Sequence, residues 1–221
     1  MIVYKFGGTS LGNAERIREA ARLVAACGGP CVVIVSALAG VTDQLLEVAE
    51  EVSRGTETEV AERLGALRLR HDEVAQALVG DTSQADQLQE RIDAVLSRLQ
   101  QATAVRASDP GSTPGFVDDV SAIGEDLAVE LVAAALRLEG LAAEVVDART
   151  VVCTDALFGG AVPRDEETAR RARQLLTPLV EQGKIPVLQG FVAATPEGVT
   201  TTLGRGGSDF TAAIVGAALG S

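Results

Sequence analysis

The chain has 221 residues, of which 47% are hydrophobic and only 3% aromatic, and its formal net charge is −12. This length can bury a full core, and apolar residues dominated by Ala, Val and Leu suit helices packed on a parallel sheet. The negative charge argues against nucleic acid and anionic membranes as partners, because phosphate groups are bound by clustered Lys and Arg. We therefore expect small-molecule or protein partners.

Cysteine and histidine content leaves little from which to build a metal site. Cys27 and Cys31 flank a Gly-Gly-Pro turn, so a redox-active or metal-binding pair is one interpretation. The favoured interpretation is that these two residues and Cys153 are buried as small apolar side chains. His71 is the single histidine, and we predict no dedicated metal site. With no long apolar segment and no basic leader, the sequence predicts a cytoplasmic protein with reduced thiols.

The first half of the chain alternates strand and helix patterns. Strands are predicted at residues 2–6 and 31–35, an amphipathic helix at 13–26, a small-residue loop at 36–43 and a second helix at about 43–52. Residues from about 58 to 104 are charged and helical in period, which predicts an inserted helical hairpin that turns near residues 80–82. A structural cover or subunit contact is favoured there over a ligand site, since ligands prefer the loop end of the sheet.

The second half begins after a Pro- and Gly-rich segment. Residues 109–115 predict a linker or turn, and a helix at about 120–138 carries Glu125 in its first turns. The remaining patterns predict strands at 141–147, 151–152, 185–188 and 199–203, a helix at 166–182 that Pro178 kinks, and a final helix at 208–219. Alternating strands and helices predict an α/β fold whose mainly parallel sheet is covered on both faces as a three-layer sandwich.

Two glycine-rich loops, residues 5–10 and 202–209, each follow a strand and precede a helix. Such a loop presents backbone N–H groups and a helix N-terminus to an anion, so two of them indicate phosphate chemistry. Lys5 in the first loop would neutralise a transferring phosphoryl group, with a solvent-pointing lysine as the alternative. The first loop is not a Walker A motif, because it lacks the Gly-Lys-Ser/Thr ending.

The second loop adds a guanidinium and a carboxylate. Arg205 suits a bidentate grip on a substrate carboxylate, and Asp209 could orient Lys5, whereas capping of the following helix by Ser208 or Asp209 is the alternative. Glu125 could accept a hydrogen bond from a substrate ammonium group or only stabilise its helix. Two further loop residues, Ser36 and Thr42, could offer a hydroxyl group to a ligand, or their side chains could simply close a turn.

In this order, these stretches resemble the amino-acid kinase family, and within it the aspartokinases. The matching pieces are residues 5–10, Ser36-Ala37 with Gly40 and Thr42, Gly124-Glu125, Gly190-Phe191 and residues 202–209. The resemblance covers essentially the whole chain. The helical insertion is similar to that of the longer aspartokinases, including those fused to homoserine dehydrogenase.

The resemblance implies phosphoryl transfer from ATP, with Mg²⁺ accompanying the nucleotide, to the side-chain carboxylate of L-aspartate. The product, 4-phospho-L-aspartate, opens the pathway to lysine, threonine and methionine. Lys5 would stabilise the transferring phosphoryl group and Asp209 would organise the catalytic centre. The implied phosphate-bordering residues are Gly7, Gly8, Ser36, Gly206 and Gly207. The implied aspartate-binding residues are Thr42, Glu125, Phe191, Arg205 and Ser208.

Two departures from the family pattern qualify what the resemblance implies. The family usually has Ser-Phe-Gly-Glu where this chain has Ala-Ile-Gly-Glu at residues 122–125. Family members also continue into a nucleotide-holding segment and ACT domains. Residues 1–221 are thus expected to form the substrate-binding lobe of an amino-acid kinase domain, a homo-oligomer in its full-length form.

Two other functions stay open. The first is another amino-acid kinase, acting on glutamate or acetylglutamate, against which the Arg-Gly-Gly-Ser-Asp segment and the helical insertion argue. The second belongs to a different class, a non-catalytic binding or assembly module with the same fold. An enzyme must hold the nucleotide to position its γ-phosphate, and that requirement separates the two classes.

Overall fold

The computed structural model describes residues 1–109, 111 and 115–221. Its elements, in chain order, are β1 (Ile2–Phe6), α1 (Ala14–Cys27), β2 (Cys31–Val35), α2 (Val41–Arg54), α3 (Glu57–Val79), α4 (Ala85–Ser108), α5 (Phe116–Leu138), β3 (Ala143–Val145), α6 (Ala148–Val151), α7 (Asp165–Glu181), β4 (Ile185–Gln189), β5 (Val192–Ala194), β6 (Thr200–Thr202) and α8 (Gly207–Leu219). A short 3-10 helix, Gly8–Leu11, lies between β1 and α1. The linker predicted at 109–115 lies mostly outside the described residues.

A four-stranded sheet in the order β1-β2-β4-β3 forms the centre of the molecule, and all its neighbouring strands are parallel. The predicted α/β class with a mainly parallel sheet is confirmed. A second sheet pairs β5 with β6 antiparallel. The short strand β5 was not predicted, because its three residues are too few to show a period.

The parallel sheet is the middle of three layers. Val33 and Val35 of β2 point into one core cluster with α1, α2, α4 and α5, whereas Val32 and Ile34 point into a second cluster with α7 and α8. This alternation follows from the two-residue period of a strand. Every residue of β2 is buried, which explains its uninterrupted apolar sequence.

The predicted helical hairpin is formed by α3 and α4, with its turn between Val79 and Ala85. Helix α4 packs along α5 and buries one apolar stripe in the larger core cluster: Leu88, Ile92, Val95, Leu96 and Leu99. The hairpin therefore extends the core instead of lying as a separate cover over the domain.

Several local predictions were wrong. Residues 151–152 do not form a strand, because Asp147 caps a one-turn helix, α6, by accepting from the Arg149 N–H at 3.0 Å. Helix α5 begins at Phe116, so Glu125 lies nine residues inside it and not in its first turns. Cys27 is exposed, unlike Cys31 and Cys153, and all three thiols are free.

The structure can be searched for membrane-spanning helices and for metal-binding clusters. Among the helices of the described residues, none combines the length and the apolarity that a membrane crossing needs. The same residues contain no group of three or more His, Cys, Asp or Glu side chains that could hold a metal ion.

Candidate active site

A cavity of about 290 Å³ lies where β1, β2 and β4 end and α8 begins. The C-terminal edge of a parallel sheet is where open α/β folds bind ligands. Nearly all the expected site residues line this cavity, together with Gly204: Lys5, Ser36, Thr42, Glu125, Phe191, Arg205, Gly206, Gly207, Ser208 and Asp209. The two expected residues outside this lining are Gly7 and Gly8.

Lys5 and Asp209 meet at the cavity from opposite ends of the chain. The Lys5 Nζ atom lies 2.9 Å from Asp209 Oδ1, and the lysine side chain is only 25% exposed whereas the aspartate is 75% exposed. The same Nζ lies 3.4 Å from the point where a Cβ on Gly7 would be. The ammonium group is therefore held beside a bare glycine backbone and does not extend into solvent.

The first glycine loop packs closely on the loop that follows β2. The Ala39 N–H donates to the Gly8 carbonyl at 3.2 Å, and a Cβ on Gly8 would lie 2.8 Å from the Ala37 carbonyl oxygen. Only glycine permits this approach. Ser36 follows β2 directly and Thr42 lies in the first turn of α2, and both residues line the cavity.

Glu125 is the buried acidic group of the cavity, with only 3% of its surface exposed. Its Oε1 accepts from the Ala37 N–H at 3.0 Å, and its Oε2 has no hydrogen-bond partner within the described residues. Burial raises the pKa of Glu125 to about 8, with Asp126 adding to the effect and Arg149 opposing it. Burial therefore favours the protonated form of this carboxyl group, and Oε2 is the oxygen left to pair with a ligand.

Phe191 reaches the cavity through an unusual backbone conformation. Its φ of 67° makes it the one residue other than glycine with a positive φ in the described part of the chain. Its N–H donates to Thr211 Oγ1 at 3.0 Å, which ties this turn to α8. A Cβ on the preceding Gly190 would lie 2.5 Å from Ser208 Cβ, so glycine is needed for Ser208 to sit against the end of β4.

Arg205 stands between two glycines in the left-handed region, Gly204 with φ 70° and Gly206 with φ 77°. The arginine is exposed, and its guanidinium makes no ion pair or hydrogen bond within the described residues. Helix α8 has Gly206 at its N-cap and no side-chain capping bond, so the capping alternative for Ser208 and Asp209 is not observed. All donors of the Arg205 guanidinium stay available for a ligand.

Sequence reasoning missed a buried polar network directly beneath the cavity. Asp126, only 2% exposed, accepts from the Arg149 guanidinium at 2.9 and 3.0 Å and from Gln189 Nε2 at 2.8 Å. Arg98 of α4 donates to the same carboxylate at 2.9 Å. No local pattern marks these residues, although an acidic pair inside an apolar helix is an unusual composition that points to buried partners.

A larger cavity, of about 540 Å³, opens between α2, α3 and α4. Its lining is mostly apolar, with Val52, Val60 and Leu64 among its residues and Glu57 as its only charged side chain. The smaller cavity is the candidate active site because charged groups of both signs converge there.

Comparison with known proteins identifies the family to which the chain belongs. The amino acid kinase family model matches residues 1–221. The chain is 32% identical over 219 residues to the lysine-sensitive aspartokinase 3 of Escherichia coli K12, which covers 99% of this chain and 46% of that protein. It is 34% identical over 218 residues to the aspartokinase of Chlamydia muridarum, with coverages of 97% and 45%.

A solved structure gives the same picture of the fold. The crystal structure of E. coli aspartokinase III in complex with aspartate and ADP matches all of this chain with a TM-score of 0.88 at 30% identity. The match covers 47% of that structure's chain. The chain thus spans just under half the length of these relatives.

Proposed function

Because the chain belongs to the amino acid kinase family, we propose that it binds L-aspartate and ATP and forms 4-phospho-L-aspartate and ADP. This is the first step toward lysine, threonine and methionine. The observation that carries the proposal is the convergence of Lys5, Arg205 and the buried Glu125 on one cavity. The relative of known structure that was crystallised with aspartate and ADP gives further support.

The charges of the cavity match those of aspartate, which has two carboxylates and one ammonium group. Arg205 grips a carboxylate with its unused donors, in the bidentate geometry that guanidinium groups favour. Glu125 accepts from the ammonium group through its unpartnered Oε2. The walls of this aspartate site are completed by Thr42, Phe191 and Ser208.

The phosphates of ATP lie on the Lys5 side of the same cavity. Lys5 neutralises charge on the transferring phosphoryl group, and Asp209 holds the lysine ammonium in place at 2.9 Å. The backbone that borders the phosphates belongs to Gly7, Gly8, Ser36, Gly206 and Gly207. When bound with the nucleotide, Mg²⁺ would neutralise charge on the phosphate oxygens, and no dedicated protein site is proposed for it.

The chain's own residues supply positioning and charge, with little proton transfer. The acceptor is a carboxylate that is already ionised at neutral pH, so no general base has to activate it. Arg205 and Glu125 hold the acceptor while Lys5 meets the developing charge. Orientation and electrostatic stabilisation then account for most of the rate in phosphoryl transfer.

The proposal is tested by aspartate-dependent ADP formation from ATP and Mg²⁺. Lys5→Ala is expected to lower turnover far more than it raises the KM for aspartate, because the lysine acts mainly in the transition state. The chain's other lysine, which pairs with Glu144 at 2.7 Å, provides the matched control, and Lys184→Ala should leave both parameters unchanged. Equal effects of Lys5→Ala on turnover and KM would contradict the assigned role.

Calorimetric titration with aspartate separates the kinase from the non-catalytic alternative. Binding that is accompanied by ADP formation supports an aspartate kinase. Binding without turnover, at saturating ATP and Mg²⁺, would instead favour a binding or assembly module. Tighter binding of glutamate than of aspartate would assign another substrate within the family.

A further inference from the structure

Asp118 is a buried carboxylate that lies outside the cavity and outside the set of expected site residues. It sits in the first turn of α5 and is only 2% exposed. Its Oδ2 accepts from two backbone N–H groups, that of Thr202 at 2.9 Å and that of Gly159 at 3.0 Å. Both donors lie far from Asp118 in the chain, so the carboxylate joins three separate segments.

The two donors belong to the base of the loop that carries Arg205. Thr202 ends β6, two residues before Gly204, and its carbonyl accepts from the Ala161 N–H at 2.8 Å. A Cβ on Gly204 would lie 3.2 Å from the Gly159 carbonyl oxygen, so the Gly159 segment packs directly under the loop. Asp118 therefore holds the strand that enters the loop and the segment that supports it.

The same helix carries the opposite side of the proposed aspartate site. Residues 118 and 125 are seven positions apart, or about two helical turns and about 10 Å along α5, and they project from the same side of the helix. Glu125 lines the cavity, and its position against the Ala37 N–H is fixed by a hydrogen bond. Helix α5 thus bears both the acceptor for the ammonium group and the anchor of the Arg205 loop.

We propose that Asp118 is a positioning residue, which sets the separation between Arg205 and Glu125 and thereby selects a ligand with a carboxylate and an ammonium group at that spacing. This inference rests on the proposed function. Errors of about 1 Å in the placement of binding groups can cost about 100-fold in activity, so the anchor matters although it never touches the ligand.

The first test is the affinity for aspartate of Asp118→Asn, measured by calorimetry on the full chain. Asparagine keeps the size of the side chain and one acceptor oxygen. It loses the negative charge that strengthens the hydrogen bonds from the Thr202 and Gly159 N–H groups. We expect at least a tenfold weaker affinity, from a displaced Arg205 loop. Asp93→Asn is the control, because Asp93 Oδ1 also accepts two hydrogen bonds, from Arg68 and Gln89, but lies in the hairpin of α3 and α4.

A double-mutant cycle with Glu125→Gln separates positioning from a purely structural role. If Asp118 acts through the separation of Arg205 and Glu125, Asp118→Asn should have little further effect once Glu125 is replaced. Independent, multiplicative effects of the two substitutions would overturn the inference. If Asp118→Asn does not fold, Gly159→Ala serves in its place, since it strains a φ of 79° at the second donor and leaves Asp118 present.

The outcomes for the site and for the anchor are distinct. Aspartate binding that Arg205→Ala weakens by about 10-fold or more supports the proposed function, whatever the effect at residue 118. In a protein that binds aspartate in this way, an affinity within twofold of wild type for Asp118→Asn would overturn the positioning role alone. A wild-type chain that binds no aspartate would overturn both proposals.

Discussion

At the scale of single residues, the candidate site depends on groups whose hydrogen-bonding capacity is left unused. The Oε2 of Glu125 has no partner within the described residues, and the Arg205 guanidinium is exposed between two glycines. An unpaired buried carboxyl group costs free energy that a well-packed protein normally avoids. Its place in the cavity lining that it shares with Lys5 and Arg205 supports the proposed binding of an ammonium group there.

Arg205→Ala should mainly weaken binding of aspartate, because in the proposed site the guanidinium grips a substrate carboxylate before and during the reaction. We expect the KM for aspartate to rise by about 10-fold or more, the range for a charge-assisted hydrogen bond. Steady-state kinetics with varied aspartate measure the effect. Arg22→Ala, at an exposed arginine that pairs with Glu139 outside the cavity lining, is the control, and an unchanged KM in Arg205→Ala would exclude the carboxylate grip.

Glu125 should make stability depend on pH. Its pKa is raised from 4.5 to about 8 by burial, so between these values the folded chain binds a proton that the unfolded chain has released. The contribution of Glu125 to the free energy of unfolding is complete below pH 4.5 and is lost as the pH rises toward 8. The free energy of unfolding falls by at most about 1.4 kcal/mol per pH unit. Urea unfolding between pH 5 and 8.5 should show this loss in wild type relative to Glu125→Gln.

The glutamine variant isolates the effect of this one carboxyl group, because all other titrating groups are unchanged. Parallel pH profiles for the two proteins would show that Glu125 is ionised in the folded state. Affinity for aspartate should change in the opposite direction, becoming tighter as the pH approaches 8, since the substrate ammonium group requires the carboxylate form.

At the scale of secondary-structure elements, α5 organises the site. It packs against the sheet, α1, α2 and α4, and it carries Asp118, Glu125 and Asp126, all buried, within a mostly apolar sequence. Gly124 permits this packing, because a Cβ there would lie 2.7 Å from Ala37 Cβ. The helix thus joins the loop after β2, the Arg205 loop and the hairpin of α3 and α4.

Asp126→Ala should destabilise the fold strongly, because it removes the main partner of the buried Arg149. Breaking a buried ion pair costs about 3–5 kcal/mol, and we expect about 3 kcal/mol here since Arg149 keeps a contact with Asp147 at 3.2 Å. Equilibrium unfolding in urea measures the loss. Asp93→Ala breaks an exposed pair with Arg68 and should cost no more than about 1 kcal/mol.

A similar loss in the two variants would show that the Asp126 network contributes no more than a surface pair. Asp126 lies beneath the cavity and not in its lining, so aspartate affinity in the folded fraction tests whether the network also shapes the site. A retained affinity would assign it to stability alone.

At the scale of the whole molecule, the fold brings the two ends of the chain to one place. The Ser221 hydroxyl donates to the Met1 carbonyl at 2.9 Å, and α8 packs on β1. This arrangement sets Asp209 beside Lys5 and makes the candidate site dependent on complete folding. The hairpin of α3 and α4 extends the same core, since α4 buries its apolar stripe with α5.

Replacing residues 57–108 by a short Gly-Ser linker should therefore disrupt the domain and not merely shorten it. Removal exposes apolar surface on α2 and α5. Each Å² of apolar surface that is exposed to water lowers the stability by about 25 cal/mol. We expect loss of cooperative urea unfolding and strong binding of an apolar dye such as ANS. Gly-Ser replacement of residues 81–83 in the hairpin turn is the control, and a cooperative, dye-free deletion variant would show that the hairpin is independent of the core.

The sequence determined those features whose cause is local. The apolar run Cys31–Val35 predicts a doubly buried strand, the spacing of apolar residues predicts α1, and the two glycine loops have the residues that an anion site requires. Even the hairpin was predictable, because its helical period extends over many residues. These patterns depend on a few neighbouring side chains and are therefore visible without a structure.

Only the tertiary structure decided which of these features meet. The sequence indicated that Asp209 could orient Lys5, and the structure adds their separation of 2.9 Å. The burial of Glu125 against the Ala37 N–H, the Asp126 network and the anchor at Asp118 join residues that are far apart in the chain. The antiparallel β5–β6 pair and the one-turn helix α6 are too short for their local pattern to outweigh long-range contacts. Burial and hydrogen-bond partners belong to the packed chain as a whole, and for that physical reason no local pattern predicts them.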